Sequence, residues 1–212
     1  MHKKLHHVRN RSQAYARTAL LCAVAVLGIT GTNSAHAQTA LPTGFGSFTL
    51  GMHWDDVQSS TGLVELTRIN SAWERLVYDC GYRHAQITTD KGRLLVTVED
   101  FTVTSLSYVT AIQKDSNLMQ VAQLIINNYG QPQQATMRDA LGAVTIDQST
   151  ANYITLEFGG DKPAMFEVSG APMWEYRISI QNGDLRGTQN RTIRCARKQE
   201  KRLKNESAKK PS

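Results

Sequence analysis

Between Gln38 and the C-terminus the chain holds two histidines, His53 and His84, and two cysteines, Cys80 and Cys195. The run His53-Trp54-Asp55-Asp56 offers an imidazole beside two carboxylates, a set that could ligate a metal. Adjacent residues of a helix do not face one another, however, and no second His or Cys stands at ligand spacing. A helix start with acids matched to the macrodipole accounts for the run better, and no metal is expected. Nucleophilic chemistry has no motif either. The chain lacks a Gly-x-Ser-x-Gly elbow, a phosphate-cradling loop and a His-Glu-x-x-His pair. Ser207 and Lys210 match Ser-x-x-Lys, but they stand among charges where nothing would exclude water. The acids of the body cannot be paired from sequence into a glycosidase couple. These residues assign no catalytic role and no cofactor, and the chain reads as a binding protein rather than an enzyme.

The cysteines carry a firmer expectation. Two cysteines in an exported chain meet an oxidising compartment, so a Cys80–Cys195 disulfide is expected, with two free thiols or a bridge between chains as alternatives. Of the three tryptophans, Trp174 falls on the apolar side of a strand pattern and is assigned to the core. Trp73, in the polar stretch Asn70-Ser71-Ala72-Trp73-Glu74-Arg75, is expected to be exposed and, with Arg75, to contact a partner.

Export itself is read from the N-terminus. Five basic residues and no acid occupy residues 1–17, an apolar run follows from Thr18 to Ile29, and Ala35-His36-Ala37 supplies small residues for cleavage. This is the three-part pattern of a secretory signal peptide over residues 1–37. The run is too short for the ~20 apolar residues of a membrane span, and Leu21 before Cys22 argues against lipidation. No transmembrane segment is expected after cleavage, and the compartment is periplasmic or extracellular.

Charge then divides the remainder. Gln38 to Leu185 carries 9 basic and 16 acidic residues, whereas Arg186 to Ser212 carries 10 basic and 2 acidic. The basic excess of the whole chain therefore describes its two ends and hides an acidic body, which argues against a nucleic-acid-binding domain. Residues 38–185 are expected to form one α+β domain, and residues 186–212 a largely disordered basic tail. Arg197, Lys198, Lys201 and Arg202 of that tail are candidate contacts to an envelope protein or an anionic surface.

The elements that would position these residues are mostly strands. The exception is the stretch from Asp115 to Pro132. Leu118, Val121, Ala122, Ile125 and Tyr129 recur at helical spacing, flanked by Leu124 and Ile126. Asn117 suits the N-cap, with Gln120 three residues on. Gly130 and Pro132 stop the helix. A shorter, weaker helix is expected over 51–62, with Trp54, Val57 and Thr61 on one face. Strands are expected at Phe45–Leu50, around Val64 and Leu66, and on either side of the turn Asp90-Lys91-Gly92. Others are expected at Leu106–Val109, Val144/Ile146, Ile154–Phe158 and Phe166/Val168. A last strand puts Trp174, Tyr176, Ile178 and Ile180 on one face, with Glu175, Arg177 and Ser179 opposite. Period-two alternation with one apolar side predicts an antiparallel sheet, with the main helix and the short helix packed on one face.

Two segments carry a resemblance. Leu50-Gly51-Met52, followed by Val57 and Gly62, resembles the opening of β-lactamase-inhibitor-protein-like modules and of the small outer-membrane-assembly lipoproteins. Leu106-Ser107-Tyr108, the helix and Asn128-Tyr129-Gly130-Gln131-Pro132 resemble the second half of many small secreted proteins. The chain departs from the pattern at His53, where Ser or Thr usually caps the helix, and in lacking a lipobox. The resemblance implies short helices on an antiparallel sheet and a binding role: a non-catalytic envelope binding protein or, alternatively, an inhibitor or immunity-type protein that blocks a hydrolase.

Overall fold

The computed structural model describes residues 39–160 and 163–209. Residues 1–37, for which a signal peptide is expected, lie outside the described residues. In chain order come β1 (Gly44–Phe45), β2 (Phe48–Thr49), helix α1 (Trp54–Gln58), β3 (Leu63–Glu65), helix α2 (Ala72–Asp79), β4 (Arg83–Thr88), β5 (Arg93–Glu99) and β6 (Thr102–Ala111). Helix α3 (Leu118–Tyr129), β7 (Gln134–Arg138), β8 (Tyr153–Phe158), β9 (Ala164–Ser169), β10 (Glu175–Gln181) and helix α4 (Leu185–Lys209) complete the chain. Strands β3 to β10 form one antiparallel sheet in the order β3-β4-β5-β6-β10-β9-β8-β7, and β1 and β2 make a separate small hairpin. The chain is therefore an α+β protein with an antiparallel sheet, as its alternation requires.

Register explains which face is buried. Val96, Leu106, Ile180 and Ala164 are successive partners across β5, β6, β10 and β9, and Ile178, Phe166 and Leu156 form a parallel row across β10, β9 and β8. All but Ile178 are buried. Helix α3 lies on this face against β8 and β9, where Tyr129 meets the rings of Phe158 and Phe166. Asn117 Oδ1 accepts from Gln120 N at 3.2 Å, and Gly130 ends the helix at φ +89°. Leu118, Ala122, Ile125 and Ile126 are buried, whereas Leu124 is exposed, so the apolar stripe widens on one side only. The opposite face carries the polar rows. Arg93 pairs with Glu175 at 3.0 Å, Arg177 with Glu167 at 3.5 Å, and Ser107 with Ser179 at 2.8 Å.

Several expectations are corrected. The Phe45–Leu50 strand is a hairpin of two-residue strands. Helix α1 stops at Gln58, leaving Thr61 outside it. Val144 and Ile146 belong to no strand. They lie exposed in the β7–β8 connection, because the chain there turns on Asp139 and Asp147. Trp174 precedes β10 at φ +46° and is half-exposed, so the core assignment fails for it. The polar stretch Asn70–Arg75, for which no helix was expected, runs into helix α2 at Ala72. The largest correction is α4: residues 185–209 are helical, where a disordered tail was expected from Arg186.

Candidate functional site

The surroundings of α4 are built on a two-residue turn. Asp100 and Phe101 join β5 to β6 with φ of +53° and +58°, the positive values a tight hairpin turn demands. Phe101 N donates to Gly81 O, and Phe101 O accepts from Trp54 N. The turn therefore fastens the end of α2 and the start of α1 at once. Gly81 has φ +91°, and a Cβ there would stand 2.4 Å from Phe101 N, so only glycine allows this approach. Behind the turn lies Arg83, an arginine on the apolar face with 8% exposure. Its guanidinium sits 3.4 Å from the centroid of the Tyr78 ring and donates to the carbonyl oxygens of Tyr78 and Tyr82. Burial of this cation is offset by the ring and the two carbonyls, which no lysine could match in shape.

Asp100 holds α4 from the other side. Its backbone N donates to Thr192 Oγ1 at 2.9 Å, and its carboxylate accepts from Arg191 Nε at 2.9 Å. Arg191 also reaches Asp184 at 3.2 Å. Next to them Glu99 is buried, and desolvation raises its carboxyl above the usual range. A hydrogen bond from Thr192 pulls the value back, and Asp100 pushes it up again. One helical turn further along α4, Cys195 is bonded to Cys80, with Cα atoms 5.9 Å apart across 115 residues of sequence. Leu76, Cys80 and Ala196 form a small buried cluster with Val77 and Cys195 against it. Read in order, the turn beside Gly81 meets Thr192, Cys80 meets Cys195, and Leu76 meets Ala196. The two helices thus lie antiparallel, α2 running toward the turn and α4 away from it.

This docking divides α4 lengthwise. Thr188, Thr192 and Ala196 are buried, and Leu185, Cys195 and Gln199 are partly so, a stripe at i, i+3 and i+4 spacing. Arg194, Arg197, Lys198 and Lys201 recur at i, i+3, i+4 and i+7 on the opposite side, and all four are exposed. Arg202 adjoins them. Among the described residues none of these five has a carboxylate within 4.0 Å, whereas Lys204 is paired with Glu200 at 2.7 Å. From Lys201 to Ala208 every described residue is exposed. A helical basic face therefore projects from an acidic body.

No protein-family profile, curated protein or solved structure matches this chain.

The resemblance drawn from the glycine motifs accordingly stands on those residues alone. Of the residues singled out from sequence, Cys80 and Cys195 are joined as expected. Arg197, Lys198, Lys201 and Arg202 share an ordered helix rather than a tail. Trp73 is exposed, at 40%, as expected. It continues the α2 stripe of Leu76, Val77 and Cys80, so it stands on the side of α2 that faces α4, while Arg75 lies two residues on and points away from that side. The structure does not bring Arg75 into the same row as Trp73. Arg194 was overlooked, although its spacing to Arg197, Lys198 and Lys201 was there to be read.

The histidines serve local structure. His53 caps α1, its Nδ1 accepting from Asp55 N at 3.3 Å, and His84 Nδ1 lies 3.5 Å from Thr97 Oγ1 on the polar face. Among the described residues no group of three His, Cys, Asp or Glu side chains is placed to hold a metal. Tyr153 is hydrogen-bonded to Glu167, and burial together with that carboxylate pushes its phenol up to about 12. Such a phenol stays protonated at neutral pH and bonds Glu167, which in turn pairs with Arg177 at 3.5 Å.

Proposed function

We propose that this chain is a non-catalytic, exported binding protein of the cell envelope, and that it docks on a phosphate-bearing anionic surface through the basic face of α4. The observation that carries the reading is the row Arg194, Arg197, Lys198 and Lys201, exposed and, among the described residues, without carboxylate partners, on a helix that a disulfide holds to the body. Cations ordered on a rigid helix lose little freedom on meeting an anionic surface, and each contributes about 1 kcal/mol near such a membrane. The acidic body is repelled by the same surface, so the charge split also orients the approach. The disulfide is compatible with export, and no helix among the described residues is long and apolar enough to cross a membrane. α4 is too polar to bury itself in lipid, so the contact is electrostatic and salt-sensitive.

An inhibitor that blocks a hydrolase is less favoured. Its only anchors from the sequence reading are Trp73 and its neighbours, and Arg75 does not share the side of α2 on which Trp73 stands. The test is cosedimentation with vesicles of phosphatidylglycerol or of phosphatidylcholine. Binding to the anionic vesicles at low salt is expected. It should fall about tenfold or more in Arg197→Glu/Lys201→Glu and vanish at high salt. Equal binding to both lipids, or anionic binding untouched by the charge reversal, would remove this reading.

A further inference from the structure

Strand β10 hands the chain to α4 through Gln181-Asn182-Gly183-Asp184, and this joint carries chemistry of its own. Asn182 is the only asparagine of the chain that a glycine follows. An asparagine side chain can close on the next backbone nitrogen to make a five-membered ring. A glycine in that place sets no Cβ in the way.

The joint is bonded so as to favour that closure. Asn182 Oδ1 accepts from Asp184 N at 3.1 Å, a bond to the backbone two residues on that turns the side-chain carbonyl over Gly183. The same N–H stands at the oxygen where negative charge gathers during attack on Cγ. Asn182 N donates to Thr104 O at 2.8 Å and Asn182 O accepts from Leu185 N at 3.0 Å, so the residue is held from both sides. Gly183 is exposed, and among the described residues its N–H finds no acceptor.

Other asparagines are less well placed. Asn127, Asn128, Asn190 and Asn205 lie within α3 and α4, where the following N–H belongs to the helix. Asn117 is occupied as a cap, and the Asn152 amide is tied to Ala171 O.

We propose that Asn182–Gly183 is a self-modification site, at which the folded chain deamidates through a succinimide. Hydroxide takes the proton of Gly183 N, and the nitrogen's electron pair attacks Asn182 Cγ. The Cγ–Nδ2 bond breaks, and the amide takes up a proton and leaves as ammonia. Water then opens the ring at either carbonyl carbon. Addition at Cγ breaks the new Cγ–N bond and yields an ordinary aspartate. Addition at the backbone carbonyl breaks the original peptide bond and yields an isoaspartate, whose chain runs through Cγ. Either product sets a new carboxylate beside Asp184 at the start of α4, where the macrodipole favours an anion and Arg191 already reaches Asp184 at 3.2 Å. The isoaspartate also lengthens the backbone between the sheet and the basic helix.

The test incubates the purified, disulfide-bonded chain at mildly alkaline pH and follows it by peptide mapping. Trypsin releases Ile178–Arg186, which holds Asn182 and no other asparagine. This peptide should gain the mass of OH in place of NH2 and resolve into two products. Only the isoaspartyl product should be methylated by an isoaspartyl methyltransferase. Peptides that hold the other asparagines should stay unchanged over the same period. Gly183→Ala should slow the reaction about tenfold, because a methyl group crowds the attacking nitrogen. Gly183 does not have a positive φ, so this variant should melt like the parent. A chain reduced and unfolded in urea isolates the part played by the fold, and the folded chain should react at Asn182 at least as fast. A folded chain slower at Asn182 than the unfolded one, an earlier reaction at another asparagine, or a Gly183→Ala variant reacting at the parental rate would each overturn the assignment.

Discussion

Glu99 shows how one buried acid can serve the docking of a helix at a cost. It lies under α4 with Thr192 bonded to it and Asp100 beside it, and desolvation raises its carboxyl above the ordinary glutamate value. A raised folded-state value means that the folded protein holds the proton more tightly than the unfolded chain does. The stabilising contribution of the protonated form is present in full below the unfolded value and is lost as pH rises through the folded value. At neutral pH the ionised side chain is therefore a penalty that the Thr192 hydroxyl only partly offsets. Glu99→Gln keeps the shape and a hydrogen-bonding partner for Thr192 without the charge. It should raise the melting temperature at pH 7 by a few degrees, the equivalent of about 1 kcal/mol. The gain should shrink as pH is lowered through the carboxylate range, where wild-type Glu99 takes up its proton. Paired melts at pH 7 and pH 4 check this, and a variant less stable than wild type at pH 7 would show that the ionised form is favoured.

At the scale of elements, α3 and α4 explain why one helix was legible in the sequence and the other was not. α3 announces itself through its cap at Asn117, an apolar stripe and a glycine stop, and each of these features sits in the structure where the pattern put it. α4 buries Thr188, Thr192 and Ala196, small or polar residues that leave no hydrophobic period to detect. Its hold comes instead from Asp100, Arg191 and the disulfide, contacts between residues about 90 or more positions apart. α2 lay between these cases. Ser71 and Glu74 form a capping box in plain sequence, with Glu74 N donating to Ser71 Oγ at 3.1 Å and Glu74 Oε2 accepting from Asn70 N. That signal stands in a polar stretch with no long apolar run beside it. All of the basic face but Arg194 was legible residue by residue, but its order as a face was not. The disulfide is what makes that order testable. In Cys80→Ser/Cys195→Ser the turns beyond Ala196 lose their cross-link to α2, and an exposed helix of that length is marginal alone. Limited trypsin treatment should then cut at Arg197 to Lys204 about ten times faster than in the parent, with the sheet still resistant. Equal cutting rates would mean that packing against Leu76 and Val77 suffices.

For the whole molecule, the sheet is what joins the two helical regions. α3 covers β8 and β9, whereas α2 and α4 gather by the β5–β6 turn, and β6 and β10 lie between them, with β10 in unbroken register on both sides and the β5–β6 register shifted once, between Thr97 and Val98. Rows such as Val96, Leu106, Ile180 and Ala164 cross from one region to the other without a gap in burial. A core continuous in this way should melt as one unit rather than as two halves. Ile125 is buried under α3, and replacing it with Asp places a charge there with no partner, a cost of several kcal/mol. Trp54 and Trp73 report on the distant α1 and α2 region. In a Trp174→Phe background, their fluorescence should follow the same lowered transition as the far-ultraviolet circular dichroism in Ile125→Asp. The continuous rows require that coincidence, because loss of β8 and β9 exposes the apolar faces of β10 and then β6. Tryptophan fluorescence that held its parental midpoint while the helical signal fell early would mean that the β5–β6 end, with α4 and its basic face, folds independently of α3.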